Sequence, residues 1–268
     1  MKLPSAPDWL AYLAVAAALA VVAVAPWKGP HRRAPARSQM LAPSSLFDPA
    51  VWVSAPPPGP GAGTAFSVSP RGVWLTARHV VENCPRAAIL TGPGHGVVAR
   101  VRLTPGRETA ILYTEGGAPA LPIAAAGDLR RGERAFHPGF PRNRPGEAAS
   151  ELRRRANLFV RGPWFRAEPV LIFAELDRQP ALRGALAGLS GAPVLDSAGR
   201  VLGVTVAEAP RRRRIYATTP SSLAAALQEA GVTSAADAGE AVDRSDYGLV
   251  ADALRARLSV AEVVCLAR

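Results

Sequence analysis

A chain of 268 residues that is 49% hydrophobic is long enough to bury a sizeable core, in one or two domains. Its 26 prolines and 24 glycines argue against a mostly helical protein and for many short strands joined by turns. The net charge of +11 comes without a nucleic-acid-binding motif and without aromatic residues interleaved among the basic ones. It reads as an arginine-rich composition, and no nucleic-acid partner is expected.

From Trp9 to Trp27 no residue is charged. About twenty such residues cross a hydrocarbon core as a helix, and the tryptophans at both ends suit the interface. Residues 1–28 therefore read as a signal anchor with one transmembrane helix. A cleaved signal peptide is the rival, since Ala23-Val24-Ala25 has the small-x-small form, but Pro26 would follow the scissile bond and hinder cleavage. Residues 29–46 are rich in Pro and Arg without periodicity and read as a tether. Lys28, Arg32, Arg33 and Arg37, just after the apolar stretch, favour a cytoplasmic location for the domain beyond the tether. The cysteines point the other way.

Phe47–Val53 is expected to be an opening strand, and the Pro/Gly run Ala55–Gly63 a loop. Strand-like segments come next at Thr64–Ser69, Val73–Thr76, Ala87–Leu90, Val97–Leu103 and Thr109–Tyr113. Ala118–Ala124 reads as a crossing segment, and Leu158–Val160, Val170–Leu176, Val201–Glu208 and Ile215–Thr218 as further strands. Short strands so spaced indicate a sandwich or barrel, not βαβ units.

Three motifs carry chemistry. Gly188-Leu189-Ser190-Gly191-Ala192-Pro193 presents a serine between glycines in a tight loop, where the N–H groups of Gly188 and Ser190 can point at one spot as an oxyanion hole requires. Leu75-Thr76-Ala77-Arg78-His79 places a histidine after a strand, and Glu108-Thr109-Ala110-Ile111 supplies a carboxylate at a strand start. Order, spacing and flanking residues resemble the trypsin-like (chymotrypsin-fold) serine peptidases, in particular the bacterial high-temperature-requirement branch, from about Gly63 to about Pro220. Glu133–Pro141 is similar to the strand and turn that open the second barrel of that branch.

The resemblance implies an all-β fold of two six-stranded antiparallel barrels, the first over residues 47–117 and the second over 118–220. It implies Ser190 as nucleophile, His79 as general base and Glu108 as the group that orients the imidazole. Glu108 departs from the family's aspartate by one methylene, and Arg78 from the small residue usual beside the histidine. Leu189 replaces an acidic residue that the vertebrate digestive enzymes pair with a new amino terminus, so that activation switch is not expected. Ala185, Leu186, Val204, Thr205 and Val206 are expected to line the substrate site. No acidic residue is expected there, which suggests a small or medium aliphatic P1 residue. The edge near Val201–Glu208 is expected to receive the substrate backbone by strand addition. His31, His95 and His137 receive no chemistry, and Arg153–Arg155 and Arg211–Arg214 read as exposed basic runs.

Residues 221–268 read as a closing helix and C-terminal tail. Ser221–Ala230 has a capping serine and a terminating Gly231, Tyr247–Leu258 is amphipathic, and Ser259–Leu266 is a final strand. The segment is too short for the PDZ domain that bacterial relatives often carry. Cys84 and Cys265, an even pair flanked by apolar runs, invite a disulfide and hence an exported domain. Neither the cysteines nor the histidines show metal-ligand spacing, and no metal or cofactor is expected.

The expected activity is that of a serine endopeptidase acting on polypeptides, anchored in the bacterial inner membrane with its catalytic domain in the periplasm. Two alternatives remain: a catalytically weak or inactive relative that binds or senses peptides, and a basic membrane-surface protein using the barrels as a scaffold. Oligomeric state leaves no mark in the sequence.

Overall fold

The computed structural model describes residues 39–54, 61–125, 127, 129–162, 165–181, 184–233 and 239–266. The expected anchor, and the tether as far as residue 38, lie outside the described residues, among which no helix is long and apolar enough to cross a membrane. Apolar runs punctuated by Gly and Pro become strands: β1 (Ala50–Ser54), β2 (Ala62–Ser69), β3 (Val73–Ala77), β4 (Arg86–Gly92), β5 (His95–Leu103) and β6 (Thr109–Tyr113). One helical turn, α1 (Arg78–Val81), interrupts them after β3. Then come β7 (Arg134–Gly139), β8 (Gly146–Arg161), β9 (Arg166–Gln179), β10 (Pro193–Leu195), β11 (Val201–Ala209) and β12 (Arg214–Thr218). Helices α2 (Pro220–Ala230) and α3 (Tyr247–Ala256) lead to the last strand, β13 (Val260–Leu266).

Six antiparallel strands close a barrel in the order β13-β2-β3-β6-β5-β4. A second sheet runs β8-β7-β10-β11-β12-β9 and becomes a ring through the pairing of β9 with β8. The sequence expectation for the first barrel needs one correction. β1 does not open that barrel: it adds to β8 in parallel, Ala50 opposite Asn157 and Ser54 opposite Arg161. The missing stave is β13, from the expected tail, which pairs with β2 at Val260–Phe66 and with β4 at Cys265–Ala87. Burial explains the exchange. β1 alternates exposed and half-buried residues, as an added edge strand does, whereas β13 buries Val260, Ala261 and Val263 almost completely.

The core is continuous across both sheets. Phe66, Leu75 and Ile111 of the first barrel meet Phe136, Val204 and Tyr216 of the second in one buried cluster that also takes in Leu223 of α2 and Val250 of α3. α2 begins a residue earlier than its composition suggests. Pro220 occupies its first turn, and the cap is Thr219, whose hydroxyl accepts from the Ser222 N–H, not Ser221. Gly231 ends the helix in the left-handed conformation, φ 67°. Cys84 and Cys265 form a disulfide with Cα atoms 5.4 Å apart, fastening β13 to the segment after α1.

Candidate active site

The loop carrying Ser190 is gripped from both sheets. On the first-barrel side, the Thr64 N–H donates to the Ser190 carbonyl at 2.8 Å and the Thr64 hydroxyl donates to the Gly188 carbonyl at 2.8 Å. On the second, the Gly191 N–H donates to Thr205 O at 2.8 Å and Thr205 N–H to Ala192 O at 2.9 Å. Gly188 and Gly191 have φ of 96° and 90°, and a Cβ on either would overlap a carbonyl oxygen, that of Phe140 or of Thr64. This is why the motif needs both glycines. Among the described residues, the N–H groups of Gly188 and Ser190 find no protein acceptor, and the Ser190 hydroxyl makes no hydrogen bond.

His79 lies in α1, directly after β3, with its side chain 18% exposed. Gly63 fits between this turn and the serine loop, since a Cβ there would meet both the Val80 side chain and the Ser190 carbonyl. His79 Nδ1 lies 3.2 Å from Glu108 Oε2. Glu108 is 2% exposed, just ahead of β6, and its backbone is fixed at both ends: its N–H donates to Glu168 Oε2 at 2.8 Å and its carbonyl accepts from the Arg78 N–H at 2.8 Å. Burial pushes the Glu108 carboxyl up, but His79 and Arg166 together outweigh it and hold it below the ordinary carboxylate range.

The structure thus brings His79 and Glu108 together beside the loop of Gly188 and Ser190. The expected substrate-site residues fare differently. Ala185 is half-buried, and Leu186, Val204, Thr205 and Val206 are 0–4% exposed. Thr205 has its backbone committed to the serine loop and its hydroxyl 3.0 Å from His137 Nδ1. Close by, Glu208 Oε1 accepts from the Leu186 N–H at 2.7 Å, and burial raises its carboxyl.

Sequence reasoning missed Thr64, Glu82, Arg166 and Glu168. Arg166 is 5% exposed, its Nε donates to Glu108 Oε1, and its Nη1 lies 3.1 Å from Glu82 Oε2. One signal was available: Arg166 and Glu168 sit two apart at the head of an apolar strand, so both point to one face.

Two β-rings with a Gly-x-Ser-Gly loop hydrogen-bonded to both define the class of double-barrel serine peptidases. The trypsin-like peptidase domain matches residues 63–204, more than half of the chain, and the chain belongs to that family of hydrolases. Solved structures agree on the fold. The active form of the Rv3671c protease from M. tuberculosis is 21% identical, with a TM-score of 0.55, and the match covers 76% of this chain and 99% of that one. An inactive form of the same protease gives 24% identity and a TM-score of 0.51 over 63% of this chain and 83% of that one. The HtrA-type protease AlgW, solved with a decapeptide, gives 18% and 0.50, over 62% of this chain and 50% of its own. No curated protein matches the sequence.

Proposed function

We propose that this protein is a serine endopeptidase in which Ser190 attacks the scissile carbonyl and His79 takes the hydroxyl proton, later returning it to the leaving amine. Glu108 holds the imidazole in the tautomer with its proton on Nδ1, and the N–H groups of Gly188 and Ser190 receive the oxyanion. The observation that carries this reading is the His79–Glu108 contact of 3.2 Å beside a loop whose two N–H groups are uncommitted among the described residues. Ser190 Oγ and His79 are not hydrogen-bonded; such contacts commonly tighten only when substrate arrives.

The substrate is a polypeptide laid along β11 near Val206–Glu208. The chain is held at the membrane by residues 1–28, and the Cys84–Cys265 bridge supports placing the barrels in the oxidising periplasm. The second reading, a protease-fold protein that binds or senses peptides without cleaving them, draws on the same unbonded hydroxyl of Ser190.

Active-serine labelling with a fluorophosphonate separates the two. Labelling of the wild type that disappears in Ser190→Ala, with peptide hydrolysis falling about 10⁴-fold in Glu108→Gln, is the expected result. A folded wild type that takes up no label would leave the binding reading in place.

A further inference from the structure

Resting on the peptidase reading, we propose that Arg166 is the positioning residue of the His79–Glu108 pair: a fixed cation, delivered from the second sheet, that keeps the Glu108 carboxylate ionised and aligned with the imidazole. Burial creates the need for such a cation. Glu108 is 2% exposed, and a carboxylate so placed without a counter-charge takes up a proton instead of carrying charge. A protonated Glu108 would no longer fix the histidine. His79 must be neutral at rest to act as a base, so it cannot be the standing counter-ion. Arginine stays charged under all these conditions.

The geometry divides the carboxylate between the two. Oε2 faces His79 Nδ1 at 3.2 Å, and Oε1 accepts from Arg166 Nε. The rest of the guanidinium fork grips Glu82, Nη1 at 3.1 Å from Oε2 and Nη2 donating to Oε1 at 3.4 Å. Glu82 closes the very turn that bears His79: its N–H donates to Arg78 O at 2.9 Å and its Oε2 meets Arg78 Nε at 3.0 Å. One planar group therefore fixes the carboxylate and the helical turn holding the imidazole relative to each other. Glu168 completes the surroundings, accepting from the Glu108 N–H with Arg107 3.9 Å from its other oxygen. The methylene that distinguishes Glu108 from aspartate acquires a reason, because it lets the carboxylate reach a guanidinium from the opposite sheet.

The test uses the full chain and five variants: Arg166→Met, Arg166→Lys, Glu108→Gln, Glu108→Gln with Arg166→Met, and, as control, Arg153→Met on the exposed side of β8. The expected rate of fluorophosphonate labelling falls about 10²-fold in Arg166→Met, recovers in part in Arg166→Lys, which restores the charge without the fork, and is unchanged in Arg153→Met. Because Arg166 acts through Glu108, adding Arg166→Met to Glu108→Gln should cost nothing further; multiplying losses would mean a general structural role. The low-field proton resonance of His79 Nδ1–H gives a readout independent of activity, expected in the wild type and Arg153→Met and absent or broadened in Arg166→Met. Should Arg166→Met fail to fold, Arg166→Lys and the charge-neutral double variant carry the same comparisons. A wild type without labelling overturns the peptidase reading. Wild-type labelling together with an intact low-field proton in the Arg166 variants overturns this inference alone.

Discussion

The hydroxyl of Thr64 donates to the Gly188 carbonyl at 2.8 Å while accepting from the Phe140 N–H at 3.0 Å, so one buried side chain of the first barrel sets the orientation of a peptide in the second. The Gly188 carbonyl belongs to the Gly188–Leu189 peptide, whose N–H donates to Leu186 O at 2.9 Å, so Thr64 helps fix the peptide that lies between the N–H groups of Gly188 and Ser190. Thr64→Val keeps the volume and removes the hydroxyl, leaving a carbonyl and an N–H without their partner. The expected cost is about 1–3 kcal/mol in stability and a loss of labelling of the order of 10²-fold, as when an oxyanion donor is removed. Thr64→Ser should stay close to the wild type. Denaturant titration and labelling rates measure both, and a fully active Thr64→Val would show that the clamp has no bearing on the site.

Two glycines with similar backbone angles should respond differently to alanine. Gly191 (φ 90°) has the Thr64 carbonyl oxygen and the Thr76 hydroxyl where a Cβ would go, whereas Gly94 (φ 71°) has nothing within 4 Å. Gly94→Ala bears only the left-handed penalty, about 1–2 kcal/mol. Gly191→Ala adds the displacement of β2 or of the serine loop, and is expected to lose soluble yield and all labelling. Equal midpoints in urea for the two variants would contradict the overlap.

How much of the fold and site was legible in the sequence depends on sequence distance. The serine loop, the histidine turn and Glu108-Thr109-Ala110-Ile111 are local patterns, and each stands where its neighbours predict: β3 before His79, β6 after Glu108, positive φ at Gly188 and Gly191. The pairing of Cys84 with Cys265 was open to arithmetic, there being two cysteines. What stayed hidden is decided by partners far along the chain. β1 and β13 are both short apolar strands, and only the space left between β2 and β4 selects the second as a stave. Arg166 lies 58 residues from Glu108, and Thr64 lies 124 from Gly188, so neither contact leaves a local trace.

The disulfide joins positions 181 residues apart, and β13 is held by it as well as by its ladders to β2 and β4. Closing so long a loop removes entropy from the unfolded chain equivalent to about 5 kcal/mol on the chain-entropy account. The strand ladders do not depend on the bridge, so the folded state should persist without it but become less stable. Cys84→Ser/Cys265→Ser, or reduction with dithiothreitol, is expected to lower the unfolding free energy by about 2–5 kcal/mol. An unchanged denaturation midpoint after reduction, with thiol counting to show that the bridge has opened, would refute this.

His137 is fully buried, its Nε2 2.8 Å from the Ser150 hydroxyl and its Nδ1 3.0 Å from that of Thr205, and burial lowers its pKa to about 3. The folded protein therefore keeps the ring neutral, while the unfolded chain takes up a proton below the ordinary histidine value of about 6.5. The unfolded state then binds more protons, so stability is full above that value and is lost as pH falls from there towards about 3. The slope is roughly 1 kcal/mol per pH unit. His137→Gln retains a donor and an acceptor but does not titrate. The stability advantage of the wild type over this variant is expected to shrink by roughly 2 kcal/mol between pH 7 and pH 5. Urea titrations of both proteins at the two pH values measure it, and a constant gap would mean that the ring takes up a proton as readily in the fold as in the unfolded chain.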